Sequence, residues 1–139
     1  MQTHTPSAVE MEAHIARFAR MKPKSRRYAE QAGIPAEAFE MIAAKNIFLL
    51  MAPEGAGGAN ASPAVKGAPG LTVNVCECPP GNGPMLHAHQ STRETFFCLR
   101  GRFEVRWGDQ GELSTMLEEF DMIAVPPGVS RAFTNVGDS

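Results

Sequence analysis

From Leu71 onward the chain alternates apolar and polar residues, but never for long. LTVNVCE (71–77) sets Leu71, Val73 and Val75 against Thr72, Asn74 and Cys76, and RFEVRWG (102–108) sets Phe103, Val105 and Trp107 against Arg102, Glu104 and Arg106. A period of two is that of a strand with one buried face. DMIAV (121–125) and SRAFTNV (130–136) read as further strands. Gly101, the GDQG of residues 108–111 and Pro126-Pro127-Gly128 cut the runs short with turn residues. The 13 Gly and 11 Pro fall mostly after residue 50. Short strands between Gly/Pro turns restrict the fold to a sandwich, a jelly roll or a barrel.

The first 45 residues have a different grain. Ser7-Ala-Val-Glu10 is a capping box, and Met11, Ile15 and Phe18 follow at helical spacing. Pro23 ends that segment; a second piece is expected over Ser25–Ala32, closed by Gly33, and a third from Pro35 carrying Phe39 and Ile42 inward. Such short amphipathic pieces must dock on something. The expected division is an N-terminal helical arm over 1–45 and a β domain over 46–139, opened by the apolar strand NIFLLM (46–51). Residues 53–70, PEGAGGANASPAVKGAPG, read as a flexible loop.

At 139 residues the chain has room for one core. A net charge of -2 and a pI near 6.1 argue against a dedicated binder of nucleic acid or of an anionic membrane. No apolar run approaches the roughly 20 residues of a membrane helix, and the N-terminus lacks the pattern of a secretory signal. Three cysteines without a CxxC pair fit reduced, buried thiols, so a cytoplasmic location is expected. The basic residues Arg17, Arg20, Lys22, Lys24, Arg26 and Arg27 read as a solvated face.

One segment concentrates the chemistry. His87 and His89 stand two apart, so on a strand both imidazoles share a face, and Glu94 follows just past a short turn. Two imidazoles and one carboxylate match the facial triad of non-haem Fe(II), and Zn, Ni or Mn could use the same donors. The plain alternative is an exposed turn with two incidental histidines.

The segment resembles the first motif of the cupin superfamily, G-x5-H-x-H-x4-E-x6-G, with Gly81, His87, His89, Glu94 and Gly101 at its fixed positions. Residues 120–135, FDMIAVPPGVSRAFTN, resemble the second motif through Pro126, Gly128 and Asn135; Phe120 stands where the family has glycine and Arg131 where it has histidine. The resemblance implies a mainly β fold, a double-stranded β-helix or cupin jelly-roll barrel with its site inside, carrying the helical arm. It implies a metal held by His87, His89 and Glu94, with Arg131 in place of the usual fourth ligand. A guanidinium has no free lone pair and cannot ligate. A dication and a guanidinium about 5 Å apart repel by roughly 6–7 kcal/mol at an effective dielectric near 20. Two arrangements follow: either the triad binds metal while Arg131 holds an anionic substrate, or no metal binds and Arg131 pairs with Glu94.

The leading expectation is a metal-dependent small-molecule enzyme, an oxygenase-like (oxidoreductase, dioxygenase-like) or isomerase-like cupin, acting on an anionic organic substrate with Fe, Mn, Ni or Zn. No catalytic residue is assigned. The alternative is a metal-free binding or sensing cupin with a Glu94–Arg131 pair. A transcriptional regulator, on a faint helix-turn-helix pattern over 29–43, ranks third. A homodimer is expected, because jelly rolls expose sheet edges and the arm and NIFLLM add apolar surface. Only four residues follow Asn135, where a small cupin normally continues into another strand. A shortened chain, the NIFLLM strand or a partner chain would account for that.

Overall fold

The computed structural model describes residues 3–24, 35, 38 and 43–138. Its strands are β1 (Asn46–Pro53), β2 (Val65–Gly67), β3 (Val73–Glu77), β4 (Glu94–Phe97), β5 (Phe103–Trp107), β6 (Leu113–Leu117), β7 (Met122–Val125) and β8 (Arg131–Asn135). They form three sheets, ordered β2-β1-β3, β4-β7 and β6-β5-β8. The fold is mainly β, as expected. Among the described residues no helix is long and apolar enough to cross a membrane.

The expected strands appear where the period of two placed them, and β1 appears on NIFLLM, which pairs antiparallel with β3. The register of that pairing shifts between Leu49 and Met51. Such a bulge lets neighbours leave strict alternation, and here Phe48 and Leu49 are both buried. On the arm side Phe48 meets Phe18, with ring centroids 4.8 Å apart. The glycine-rich stretch 53–70, expected as a loop, holds a 3-10 turn at Gly58–Asn60 and the short strand β2, parallel to β1. Local pairing explains the difference: Ala64 N–H donates to the Leu49 carbonyl, and Lys66 Nζ reaches Glu54 Oε1 at 2.6 Å.

The described part of the arm is modest. The helix α1 spans Ala8–Glu12 and carries the expected capping box, with Glu10 N–H donating to Ser7 Oγ at 3.3 Å and Ser7 N–H to Glu10 Oε2 at 2.7 Å. It stops before Ile15, and Phe18 docks from a separate 3-10 turn, Phe18–Arg20. The helical pieces expected at Ser25–Ala32 and from Pro35, with the helix-turn-helix pattern over 29–43, lie almost wholly outside the described residues.

The main core forms around Val105, Leu117 and Cys98, with Phe96, Phe103, Ile123 and Phe133 packed against it. Phe96 and Phe133 meet edge to face at 4.7 Å. Alternation along β4 therefore turns Phe96 inward. Phe97 is half exposed and lies beside Phe120, 6.3 Å between centroids. β6 escaped the sequence reading because its first four residues are exposed, so it has no apolar face to signal it.

Two backbone positions constrain this core from outside. Phe120 has φ +72 in the turn between β6 and β7, where Asp121 N–H donates to the Glu118 carbonyl. An L-residue with a side chain is disfavoured there by about 1–2 kcal/mol. Because the Phe120 ring is mostly exposed, Phe120→Gly should be more stable than Phe120→Ala by about 1 kcal/mol in urea unfolding. Equal midpoints would show that the turn carries no such penalty. Gly83 lies against β8, where an added Cβ would come 1.8 Å from the Phe133 carbonyl oxygen. Backbone cannot yield as a side-chain tip can, so Gly83→Ala should cost about 2–3 kcal/mol in the same assay.

Candidate functional site

The site is assembled by backbone pairing before any side chain acts. His87 N–H donates to the Arg131 carbonyl at 3.1 Å, and Arg131 N–H returns a bond to the His87 carbonyl at 2.9 Å. Gly128 N–H donates to the His89 carbonyl at 2.8 Å. The histidine segment is thus laid along the start of β8. It is a single bridge at His87 and not the regular strand expected. The imidazoles still converge, edge to face, with centroids 5.3 Å apart. Lower down, the buried Asn135 side chain donates to the Cys78 carbonyl at 2.7 Å, and Gly81 N–H donates to the Asn135 carbonyl at 2.8 Å. Asn135 therefore ties the turn ahead of the histidines to the end of β8.

Glu94 opens β4, opposite Val125 of β7. Arg131 opens β8, opposite Trp107 of β5. Their side chains meet across two sheets. Arg131 Nε donates to Glu94 Oε2 at 2.9 Å, and Nη2 donates to the same oxygen. Nη1 donates to the His87 carbonyl at 3.1 Å. The Arg131 side chain is only 2% exposed, against 36% for Glu94 and 45% for His89. Burial pushes the Glu94 carboxyl up, and the neighbouring His87 pulls it down. The guanidinium on Oε2 keeps the carboxylate charged, since two N–H donors stabilise the ionised form.

Four of the residues singled out from sequence therefore come together. Ligand atoms of His87, His89 and Glu94 lie within 4.8 Å of one another. His87 Nδ1 lies 2.7 Å from the Met85 carbonyl, which can only accept. Nδ1 therefore carries a proton, which leaves Nε2 as the ring atom that could ligate. Glu94 Oε1 faces His89 Nε2 at 3.8 Å. These donors suit a divalent ion in kind and in convergence. They do not suit it in charge, because Arg131 cancels the one carboxylate among them. The Met85 and His87 carbonyls are the contributors that sequence reasoning missed, because main-chain oxygens leave no mark on residue type.

A cavity of about 760 Å³ lies elsewhere, lined by Asn74–Pro79 around β3 and by Thr95–Arg100 around β4. None of His87, His89, Glu94 or Arg131 lines it. Cys98 is buried beside it, as expected of an inert thiol, and burial pushes the neighbouring Cys78 thiol up to about 12.

Comparison with known proteins adds the following. The cupin domain family matches residues 74–139. No curated protein matches the chain. Among solved structures, the Cnp3 cupin domain of Schizosaccharomyces pombe is similar at 22% identity and a TM-score of 0.48, over 53% of this chain and 52% of that one. The protein BH2720 of Bacillus halodurans is similar at 20% identity and a TM-score of 0.46, over 48% and 52%. Drosophila melanogaster CENP-C, solved bound to CAL1, is similar at 20% identity and a TM-score of 0.40, over 44% and 51%. Each match spans about half the length of the other chain. The paired histidines, Glu94 and Arg131 all fall inside residues 74–139, the stretch that matches the cupin domain family.

Proposed function

We propose that this is a metal-free binding or sensing cupin, in which Arg131 supplies internally the positive charge that a metal would otherwise bring. The observation that carries this reading is the buried guanidinium, which donates twice to one oxygen of Glu94 and once to the His87 carbonyl. A buried arginine without such partners would be very costly. With them the cluster is neutral and needs no ion. The partly exposed His89 and the free oxygen of Glu94 then form the reachable polar surface, suited to a small molecule that both donates and accepts hydrogen bonds. Arg131 acts through Glu94 here; at 2% exposure it offers a ligand almost no surface.

A second reading keeps the metal-dependent enzyme, because three ligating atoms converge and His87 has its outer nitrogen anchored on Met85. His87, His89 and Glu94 would hold the ion, which when bound would supply Lewis-acid or redox chemistry to an anionic substrate. In that reading Arg131 must release Glu94 and turn toward the substrate, the role expected for it from sequence.

Arg131→His separates the two. Under the metal-free reading the variant loses about 1.5–3 kcal/mol, less than the 3–5 of a fully buried pair because Glu94 is partly solvated. Added Zn²⁺ or Ni²⁺ then raises the melting temperature of the variant and leaves the native protein unchanged. Under the enzyme reading the native protein, purified without chelator or nickel resin, already carries stoichiometric metal, and His87→Ala/His89→Ala removes it. Thermal melts with and without metal, together with elemental analysis, give the answer.

The expected homodimer belongs to the same proposal. Phe97, Leu99, Phe120 and Met122 are all at least half exposed around β4 and β7, an apolar group that suits a protein partner. Light scattering at micromolar concentration should give twice the chain mass, and Met122→Lys should shift the protein toward monomer.

A further inference from the structure

Arg131 Nε and Nη2 both donate to Glu94 Oε2, and among the described residues no donor reaches Glu94 Oε1. His87 Nδ1 is spent on the Met85 carbonyl, so the neutral ring offers only the lone pair of Nε2. His89 Nε2 faces Glu94 Oε1 at 3.8 Å, too long for a direct hydrogen bond. Three acceptors thus converge, and what joins them is a donor placed between them.

Spacing says what kind of donor. An ion with bonds of about 2.1 Å holds neighbouring ligands about 3.0–3.4 Å apart. A tetrahedral nitrogen with hydrogen bonds of about 2.9 Å holds its acceptors about 4.7 Å apart. The pair at 3.8 Å is wider than an ion's ligands, and all three residues offer atoms within 4.8 Å of one another, the reach of an ammonium. The number of donors narrows it further. A water molecule has two, and a guanidinium spreads its five in a plane. A primary ammonium carries three on one atom, one for each acceptor. Charge points the same way. Arg131 occupies one oxygen of Glu94 and leaves the other for a second cation. A monocation there leaves the cluster with one net charge, whereas a dication leaves two.

We infer that His87, His89 and Glu94 bind the primary ammonium head of a small organic amine, with one N–H each on His87 Nε2, His89 Nε2 and Glu94 Oε1. The inference rests on the metal-free reading and names the class of its ligand: the ammonium takes the place that an ion would take among the same side chains.

The test uses the full chain, treated with chelator, at pH 8, above the ordinary imidazole range. Butylammonium chloride is titrated at constant ionic strength into protein labelled with nitrogen-15 at histidine. The Nε2 resonances of His87 and His89 should shift along a saturable isotherm. N-methyl-, N,N-dimethyl- and N,N,N-trimethylbutylammonium keep the charge and lose one N–H each, so affinity should fall by about threefold or more at each step. His89→Ala should weaken butylammonium by about three- to tenfold. With two acceptors left, the first methyl group should then cost nothing, a change that a merely structural role for His89 would not produce. A flat methyl series, or one in which the trimethyl form binds tightest, overturns the inference in favour of a site without directed bonds. Absence of shifts at the two histidines also overturns it. Tighter binding of Nα-acetyl-lysine methylamide than of butylammonium overturns the small amine as occupant, in favour of a lysyl side chain. The metal-free reading fails on a different result, stoichiometric metal in protein prepared without chelator or nickel resin. Protein that carries no metal and ignores butylammonium leaves that reading standing and removes the ammonium.

Discussion

A buried guanidinium has to be answered wherever a fold places it, and here one such group fixes the geometry of the whole site. Arg131 opens β8 in one sheet, and its only carboxylate partner among the described residues, Glu94, opens β4 in another. The pair therefore holds the start of the two-stranded sheet against the three-stranded sheet behind it. The third donor goes to the main chain of His87, so the histidine segment is secured by the same group. A lysine could not do this, because one ammonium on a flexible stem lacks the fork that addresses two acceptors at fixed angles. The electrostatics follow: the single negative charge of the cluster is already balanced before any ligand arrives.

The sequence reading succeeded where the determining interactions are local. The Ser7–Glu10 capping box, the strands around Phe103 and Met122, and the spacing of His87, His89 and Glu94 are properties of a few neighbouring residues, and all appear as read. It named the partner of Arg131 only as one of two possibilities, because the pair spans 37 positions and depends on which sheets stack. It read His87 and His89 as strand neighbours, whereas they sit on an irregular segment whose hydrogen bonds go to β8. The register Phe97↔Met122, which sets Phe97 on the outer side with Phe120, is likewise a matter of pairing between distant segments. The sequence reading left β2 unseen because three residues in a glycine-rich stretch carry almost no periodic signal.

Arg131 and Phe120 are the two departures from the family's second motif, and they differ in consequence. Phe120 keeps the positive φ that a glycine would adopt without strain, so the turn is retained and only a local penalty is added. Arg131 opens β8 and reverses the charge logic of the site. A histidine there would present a lone pair to an ion; the arginine presents N–H groups to the carboxylate that the ion would have used. One departure keeps the turn, and the other commits the carboxylate of Glu94 to a guanidinium.

β4 is the element on which the polar cluster and the core meet. It is four residues long, and among the described residues it pairs with β7. Its first residue is fixed by Arg131, and just past its last residue Cys98 N–H donates to the Asp121 carbonyl at 2.9 Å. Between those anchors Phe96 carries the strand into the core against Phe133. A short strand held at both ends has little freedom to slide. The polar cluster therefore also serves the fold: by fixing Glu94 it holds the register in which β4 meets β7.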